Sequence, residues 1–481
     1  LLDKGVLPMQ KQMLDIDQKA LEINLDETIY GTFAEIGAGQ EVARHFFKVG
    51  AAAGTIAKTM SAYDKIYSDE IYGIEHSGRY VCEARVNKML DHEYVLMEER
   101  LQKHMPDRNF FVFADTVAAL NYSRTISGNG WMGVRFQLSP TGRPNDLVIH
   151  VKMLDNDTQL QQAAIGILGV NLIYACYYYN HDPELLVRSL NDSLEGRVII
   201  DMIRLEGPDF VNVDNRLLCL LLVKFGLTEV SIFGSNGQSK HASEFLYKKS
   251  VMVVRGNFRP PTLVSVDVFK AGFTQFLKEP EVEPQTAALL AELTLDNLEV
   301  DGSISYQDFL DRAISLCELG HSVIISNCSN HQCLINYLAD YKISKLGLVI
   351  GVRELLEIIN QKYHANRDGR LLVAFGELFT RNIRIYAYPV KEEETGEIIT
   401  GKNLPVPDGI KFLYQYLLDS QHIVDIEAFN AGLLHIYPNT VLEMIEQGDL
   451  TWKKMVPDRL AKIIVDKNLF HHEHPDFTLS N

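Results

Sequence analysis

The sequence predicts an α/β protein, with parallel or mixed sheets covered by helices. Two observations carry that reading. Short apolar runs of strand character alternate with stretches of helical period from Ala20 to the C-terminus. A chain of 481 residues is also longer than one hydrophobic core can serve, so two or three domains are expected. A third observation concerns how the parts are related: the order strand, helix, glycine, strand occurs twice, about ninety residues apart.

Taken in order, Leu1 to Lys19 reads as a polar N-terminal arm or a short helix. Ala20-Leu-Glu-Ile-Asn-Leu25 alternates apolar and polar residues and is expected to be a strand. Thr32-Phe-Ala-Glu-Ile36 is a second strand, closing on Gly37-Ala-Gly39 before a helical run from Gln40 to Val49. Met89 to Met105 has helical period, and Asn109 to Ala119 opens as a buried strand. Trp131 to Leu138 and Asp146 to Met153 are strands across the turn Pro140-Thr-Gly-Arg-Pro144, and a long helix covers Thr158 to Asn180. Val198 to Leu205, a helix ending at Phe225-Gly226 and Glu229 to Phe233 make one copy of the repeated order. Leu289 to Leu295, a helix ending at Leu319-Gly320 and Ser322 to Ser326 make the other. Tandem duplication is one explanation; the general likeness of such units in any α/β protein is the other. Lys391 to Asn403 is expected to be a hairpin excursion or loop, and the segment from Thr451 a last helix with an exposed end. The domain boundary is placed at Lys240 to Tyr247, giving an arm (1–19), an N-terminal α/β domain (20–245) and a C-terminal α/β domain (246–481).

Composition excludes some functions. Apolar residues make up 46% and charged residues 23%, a globular balance. The net charge of −17 repels nucleic-acid backbones and anionic membranes, which argues against a general nucleic-acid binder or a membrane partner. No apolar run reaches the ~20 residues of a membrane helix; the best, Ala163 to Tyr179, carries Asn171 and reads as a buried helix. The cysteines Cys82, Cys176, Cys219, Cys317, Cys328 and Cys333 lie mostly in apolar surroundings and are expected to be reduced core thiols. Cys328 and Cys333 lack a CxxC spacing, so no zinc site is expected. Leu1 to Lys19 has no signal-peptide pattern, and a cytoplasmic protein is expected. The chain begins without Met, so a leader removed before Leu1 stays open.

Several strings are candidate sites. Gly37-Ala-Gly39 opens a helix, where free amides and the helix dipole favour a phosphate; Val42 stands where a dinucleotide fingerprint has its third small residue. Gly54 to Thr59 lacks a P-loop glycine at Ala57. Val251-Met-Val-Val-Arg-Gly256-Asn-Phe258-Arg-Pro260-Pro-Thr262-Leu-Val-Ser265 runs from a strand through a glycine and proline loop into a helix. In this it resembles the Gly-x-Phe-x-Pro-x-His/Thr-x-Gly-His signature of the dinucleotide-forming adenylyltransferases. That resemblance implies ATP with Mg²⁺, with Gly256, Asn257 and Thr262 cradling phosphates and Arg259 as a cationic clamp. Val264 and Ser265 replace the signature's final Gly-His, and Thr380-Arg-Asn-Ile383-Arg384 only approximates its second motif. Asp115 with Ser326-Asn327 faintly resembles the motifs of haloacid-dehalogenase-like phosphatases, without their second acid at Val117. Asp214 or Asn215 caps a helix, with Arg216 as a possible ligand contact. His471-His-Glu-His474 offers imidazoles to a metal or is a solvated tail, and Tyr177-Tyr-Tyr179 reads as packing and interface.

Ala20-Leu-Glu-Ile-Asn-Leu, Gly31-Thr-Phe-Ala-Glu-Ile-Gly-Ala-Gly-Gln-Glu-Val, Gly130-Trp-Met-Gly-Val-Arg-Phe-Gln, Gly169-Val-Asn-Leu-Ile-Tyr and Leu246-Tyr-Lys-Lys-Ser-Val together resemble an uncharacterised bacterial family. Its members carry conflicting labels, nicotinate-nucleotide adenylyltransferase or TonB-dependent receptor. The receptor label implies a barrel of many ~10-residue alternating strands, which the long helical stretches contradict. Two functional expectations follow: a protein that binds a nucleotide or phosphorylated metabolite and transfers a nucleotidyl group, or a non-catalytic homo-oligomeric scaffold.

Overall fold

The computed structural model describes residues 14–470 except 77, 301, 366–369, 380, 381 and 393. The chain forms two compact units, Leu1–Asp214 and Asn215–Asn481. The boundary expected at Lys240 to Tyr247 therefore falls inside the second unit. The reason is β-pairing: Val230–Phe233 is hydrogen-bonded to Ser322–Ser326.

In the first unit, α1 (Ile16–Leu25) replaces the strand expected at 20–25. Asp15 and Gln18 form a reciprocal capping box that satisfies the free amides of the first turn. Then come β1 (Ile29–Gly37), α2 (Val42–Val49), β2 (Ile56–Ala62), α3 (Lys65–Tyr72), α4 (Glu83–Leu101), β3 (Asn109–Ala118), β4 (Asn129–Phe136), β5 (Asn145–Met153), α5 (Thr158–Tyr178), α6 (Pro183–Ser189) and β6 (Val198–Glu206). The sheet order is β2-β1-β3-β4-β5-β6, parallel across β2, β1 and β3 and antiparallel beyond. Alternate residues face opposite sides: Ala34, Ile36, Val112 and Ala114 pack with Val86, Met89 and Leu90 of α4. Phe33 and Phe111 face the other way, toward Phe46 and Tyr177. Gly169 lets α5 meet α2, since a Cβ there would lie 2.4 Å from the Val42 side chain. Among the described residues α5 is the one helix long and apolar enough to cross a membrane, and 72% of its most apolar stretch is buried in the protein.

The second unit runs α7 (Asn215–Lys224), β7 (Val230–Phe233), β8 (Ser239–Lys240), α8 (Ala242–Leu246), β9 (Ser250–Arg255), α9 (Leu263–Phe276), β10 (Ala287–Thr294), α10 (Leu295–Leu298) and the hairpin β11 (Glu299–Val300) with β12 (Ser303–Ile304). It continues through α11 (Tyr306–Glu318), β13 (Ser322–Ser326), α12 (His331–Ala339), β14 (Lys345–Gly351), α13 (Val352–Ala365), α14 (Leu371–Gly376) and β15 (Ile383–Tyr388). The expected excursion is the hairpin β16 (Val390–Lys391) and β17 (Ile398–Ile399), followed by α15 (Lys411–Asp419), β18 (Ile423–Asp425), α16 (Pro438–Glu446) and α17 (Asp458–Asp466). The sheet order is β18-β15-β14-β9-β10-β13-β7-β8. All pairs from β18 to β13 are parallel, and β7 and β8 are antiparallel additions. From β9 the chain winds outward through β10 and β13, returns to place β14 against the free side of β9, and winds outward again. This is a doubly wound sheet with its reversal between β9 and β14. Val251 and Val253 enter one core, Met252 and Val254 the other.

The α/β expectation holds in both units. The repeated order is not reproduced as a pair of equivalent units: β10 and β13 are parallel neighbours in one sheet, whereas β6 and β7 belong to different sheets.

Candidate functional site

The apolar β9 ends at Arg255, and the loop 256–262 carries the chain into α9. Gly256 donates its amide to the Glu292 carbonyl at 3.3 Å, and a Cβ on it would come 3.1 Å from the Phe258 ring. Phe258 has φ +45°, in the region that disfavours a side chain, yet its ring is buried and stacked on Phe269 at 5.4 Å. Packing holds the loop in this shape. Thr262 is fully buried and closes a capping box with Ser265, while the Leu263 amide donates to the Met455 carbonyl at 2.8 Å.

These contacts divide the expected phosphate ligands. Gly256 and Asn257 line a cleft. Thr262 does not, because its hydroxyl serves the helix cap. Arg259 turns away and pairs through Nε with Asp308 at 2.5 Å, on a carboxylate shared with the buried Arg312. The clamp role assigned to Arg259 is thereby lost to a structural ion pair.

The cleft has a volume of about 380 Å³ and lies at the carboxyl ends of β9, β14 and β15. Val254, Val268 and Val349 give it an apolar side, and Phe258, Tyr388 and Tyr437 an aromatic one. Asn257 and Asn439 supply amide groups, while the Ser265 hydroxyl in the cleft wall accepts from the Thr262 amide in the helix cap, at 3.1 Å. Tyr388 is held in place by donating to Asp267 at 2.7 Å; burial pushes its phenol upward, so it stays a neutral donor. Arg255, also lining the cleft, is locked in a bidentate pair with the fully buried Glu292, at 2.8 and 2.9 Å. Ser326 donates to the same carboxylate at 2.6 Å. Behind this pair, His331 is buried with Nε2 lying 3.8 Å from Glu354. Burial and the Arg255 charge push His331 down to about 3, so its imidazole is neutral at ordinary pH.

The other glycine turn, at Gly37 and Gly39, is closed to an anion. The Val42 amide at the start of α2 donates to Glu35 Oε1 at 2.8 Å. A Cβ on Gly39 would lie 2.2 Å from the Asp115 carboxylate. Glu35 and Asp115 are directly paired across β1 and β3, both buried. Burial raises Glu35 to about 7 and, with the neighbouring Glu35 charge, lifts Asp115 well above the usual carboxylate range. The space a phosphate would need holds the protein's own acids. Sequence reading singled out Asp115 but missed its partner Glu35, whose only local signal was a charged residue inside an apolar strand. Asp115 and Ser326 lie in different sheets, which removes the phosphatase-like pairing. Tyr177 is half-buried, its ring against Phe111 and Phe136, so it packs on the core. His471 to His474, and Thr380 of the second motif, lie outside the described residues. Cys82, Cys176, Cys219 and Cys317 are buried free thiols as expected, but Cys328 and Cys333 are joined as a disulfide.

Fold and cleft together define a doubly wound α/β protein with a small-molecule-sized crevice at its switch point. No protein-family model matches the chain, and no curated protein matches it. Solved structures do: the competence/damage-inducible protein CihA from Agrobacterium tumefaciens is 14% identical, with 34% of this chain and 95% of that one covered and a TM-score of 0.25. A CinA superfamily protein from Klebsiella pneumoniae is 12% identical (33% and 93% covered, TM-score 0.25). Another from Escherichia coli is 14% identical (34% and 96% covered, TM-score 0.24). At these scores the likeness carries no argument about the site.

Proposed function

We propose that the second unit binds a nucleotide, or a phosphorylated metabolite with a planar ring, in the cleft between β9 and β14. The observation that carries this reading is the position of the cleft. It opens at the carboxyl ends of parallel strands where the winding reverses, the place where ligands bind in open α/β sheets. A volume near 380 Å³ lies in the range of small-molecule sites. Tyr388, Tyr437 and Phe258 suit a ring, and Asn257 and Asn439 suit its polar edge or a phosphate oxygen. Catalytic nucleotidyl transfer has less support. Arg255 and Arg259, and Arg312 which donates to the Asn257 carbonyl, are all committed to carboxylates, which leaves little positive charge for a triphosphate with Mg²⁺. The proposed role is binding, in the cytoplasm.

Calorimetric titration with ATP, AMP and nicotinate mononucleotide, with and without Mg²⁺, tests it. Saturable heat with at least one ligand, weakened roughly tenfold or more by Tyr437→Ala or Asn257→Ala, is expected. Absence of heat with all three ends the reading.

A second reading, a homo-oligomer, draws on the first unit. Tyr63, Ile66, Tyr67 and Ile74 are all more than 60% exposed around α3, an apolar patch of the kind that marks an interface. Light scattering decides it: a monomer at micromolar concentration excludes a stable assembly.

A further inference from the structure

Cys328 and Cys333 differ from the other cysteines in three ways. They are bonded to each other, with Cα atoms 5.3 Å apart, while the other four are buried free thiols. The bond spans a sequence separation of only five. Such a short loop restricts the unfolded chain little, so a staple here contributes far less than one closing a long loop. Its position is also asymmetric. Cys328 is fully buried just past β13, whereas Cys333 is partly exposed, and Ser329 and Asn330 between them are exposed.

Cys333 lies in the first turn of α12, where its amide donates to Asn330 Oδ1 at 3.0 Å. The partial positive charge of a helix N-terminus stabilises a thiolate in that turn. Cys176, buried in α5, shows the opposite case: burial lifts its thiol well above the usual value. Cys333 is thus the more exposed partner, placed at a helix N-terminus, and Cys328 is shielded but within bonding reach.

We propose that Cys328 and Cys333 form a reversible thiol–disulfide exchange site for an external dithiol. In the reducing direction a thiolate of the dithiol attacks Cys333 Sγ. The protein S–S bond breaks, and its electron pair leaves on Cys328 Sγ, which takes a proton from water. The second thiol of the reagent, losing its proton to water, then attacks the reagent sulfur of the mixed disulfide. This closes the oxidised reagent and expels Cys333 as thiolate. The protein gains two electrons, and the dithiol loses them. In reverse, the Cys333 thiolate opens an oxidised dithiol and Cys328 resolves the mixed disulfide. Neither step requires the nucleotide cleft.

The test is peptide-mapped alkylation of the folded full chain across graded ratios of reduced to oxidised dithiothreitol, with circular dichroism at each ratio. Both cysteines are expected to be protected at the oxidising end and labelled at the reducing end, with folded signal retained throughout. In the reduced protein Cys333 is expected to react at least roughly tenfold faster than Cys82, Cys176, Cys219 or Cys317. Labelling of both cysteines even at the most oxidising ratio overturns the proposal. A pair that is reduced only in denaturant overturns it too, since the bond would then be a structural staple. Cys328→Ser, treated with oxidised glutathione, is expected to form a mixed disulfide at Cys333; failure to do so also counts against an accessible attacking thiol.

Discussion

Replacing Glu35 by glutamine removes one of two acids that face each other across β1 and β3 and keeps a side-chain oxygen for the Val42 amide. Glu35 is 3% exposed. Burial is the main cause of its rise from 4.5 to about 7; the amides of Val42 and Ala43 oppose the rise, and the Glu41 charge adds to it. The folded state therefore holds this proton more tightly than the unfolded chain does. Stability from the protonated acid is intact below the unfolded value of 4.5 and is lost as pH rises from there through about 7. At ~1.4 kcal/mol per pH unit, the loss is about 3 kcal/mol, and Asp115, raised in the same direction, adds to it. Glu35→Gln is expected to match the wild type near pH 4 and to exceed it by about 3 kcal/mol at pH 8. Urea unfolding at several pH values measures this. Trp131, buried in the same sheet, reports the first unit by fluorescence when a Trp452→Phe background silences the other tryptophan. A variant that keeps the wild-type pH profile, or is less stable at pH 8, refutes the reasoning.

Further expectations follow from the same contacts. Gly39→Ala drives a methyl into the Asp115 carboxylate and is expected to cost more than about 2 kcal/mol. Adding Asp115→Ala should recover part of that loss in a double-mutant cycle, and strict additivity would contradict the contact. Asp308→Ala leaves the buried Arg312 without its carboxylate; a loss of about 3–5 kcal/mol is expected in denaturant unfolding of the second unit. Thr262→Ala removes a helix cap and is expected to lower stability by about 1 kcal/mol. In the calorimeter it should leave ligand affinity unchanged. A collapse of affinity would return Thr262 to the ligand site.

Much of the local structure was legible. The β9 strand, the glycine loop and α9 follow from a short apolar run and turn residues within a few residues of one another, whereas the capping role of Thr262 was visible only in the structure. The length and burial of α5 followed from its apolar composition. Period-two alternation over six residues at 20–25 suggests a strand, but the Asp15-x-x-Gln18 cap just upstream starts the helix α1 that carries them. That signal was present and could have decided the matter.

What tertiary structure alone decided are meetings between residues far apart in the chain. The return of β14 to the side of β9 creates the cleft, and Asp308 draws Arg259 away from it. Glu35 sits beside Asp115, and β7 joins the second sheet and moves the boundary to Asp214. Turn chemistry and hydrophobic period act over a few residues, so a sequence displays them directly. Strand order and buried ion pairs depend on which surfaces the whole chain brings together, and no local pattern encodes that choice.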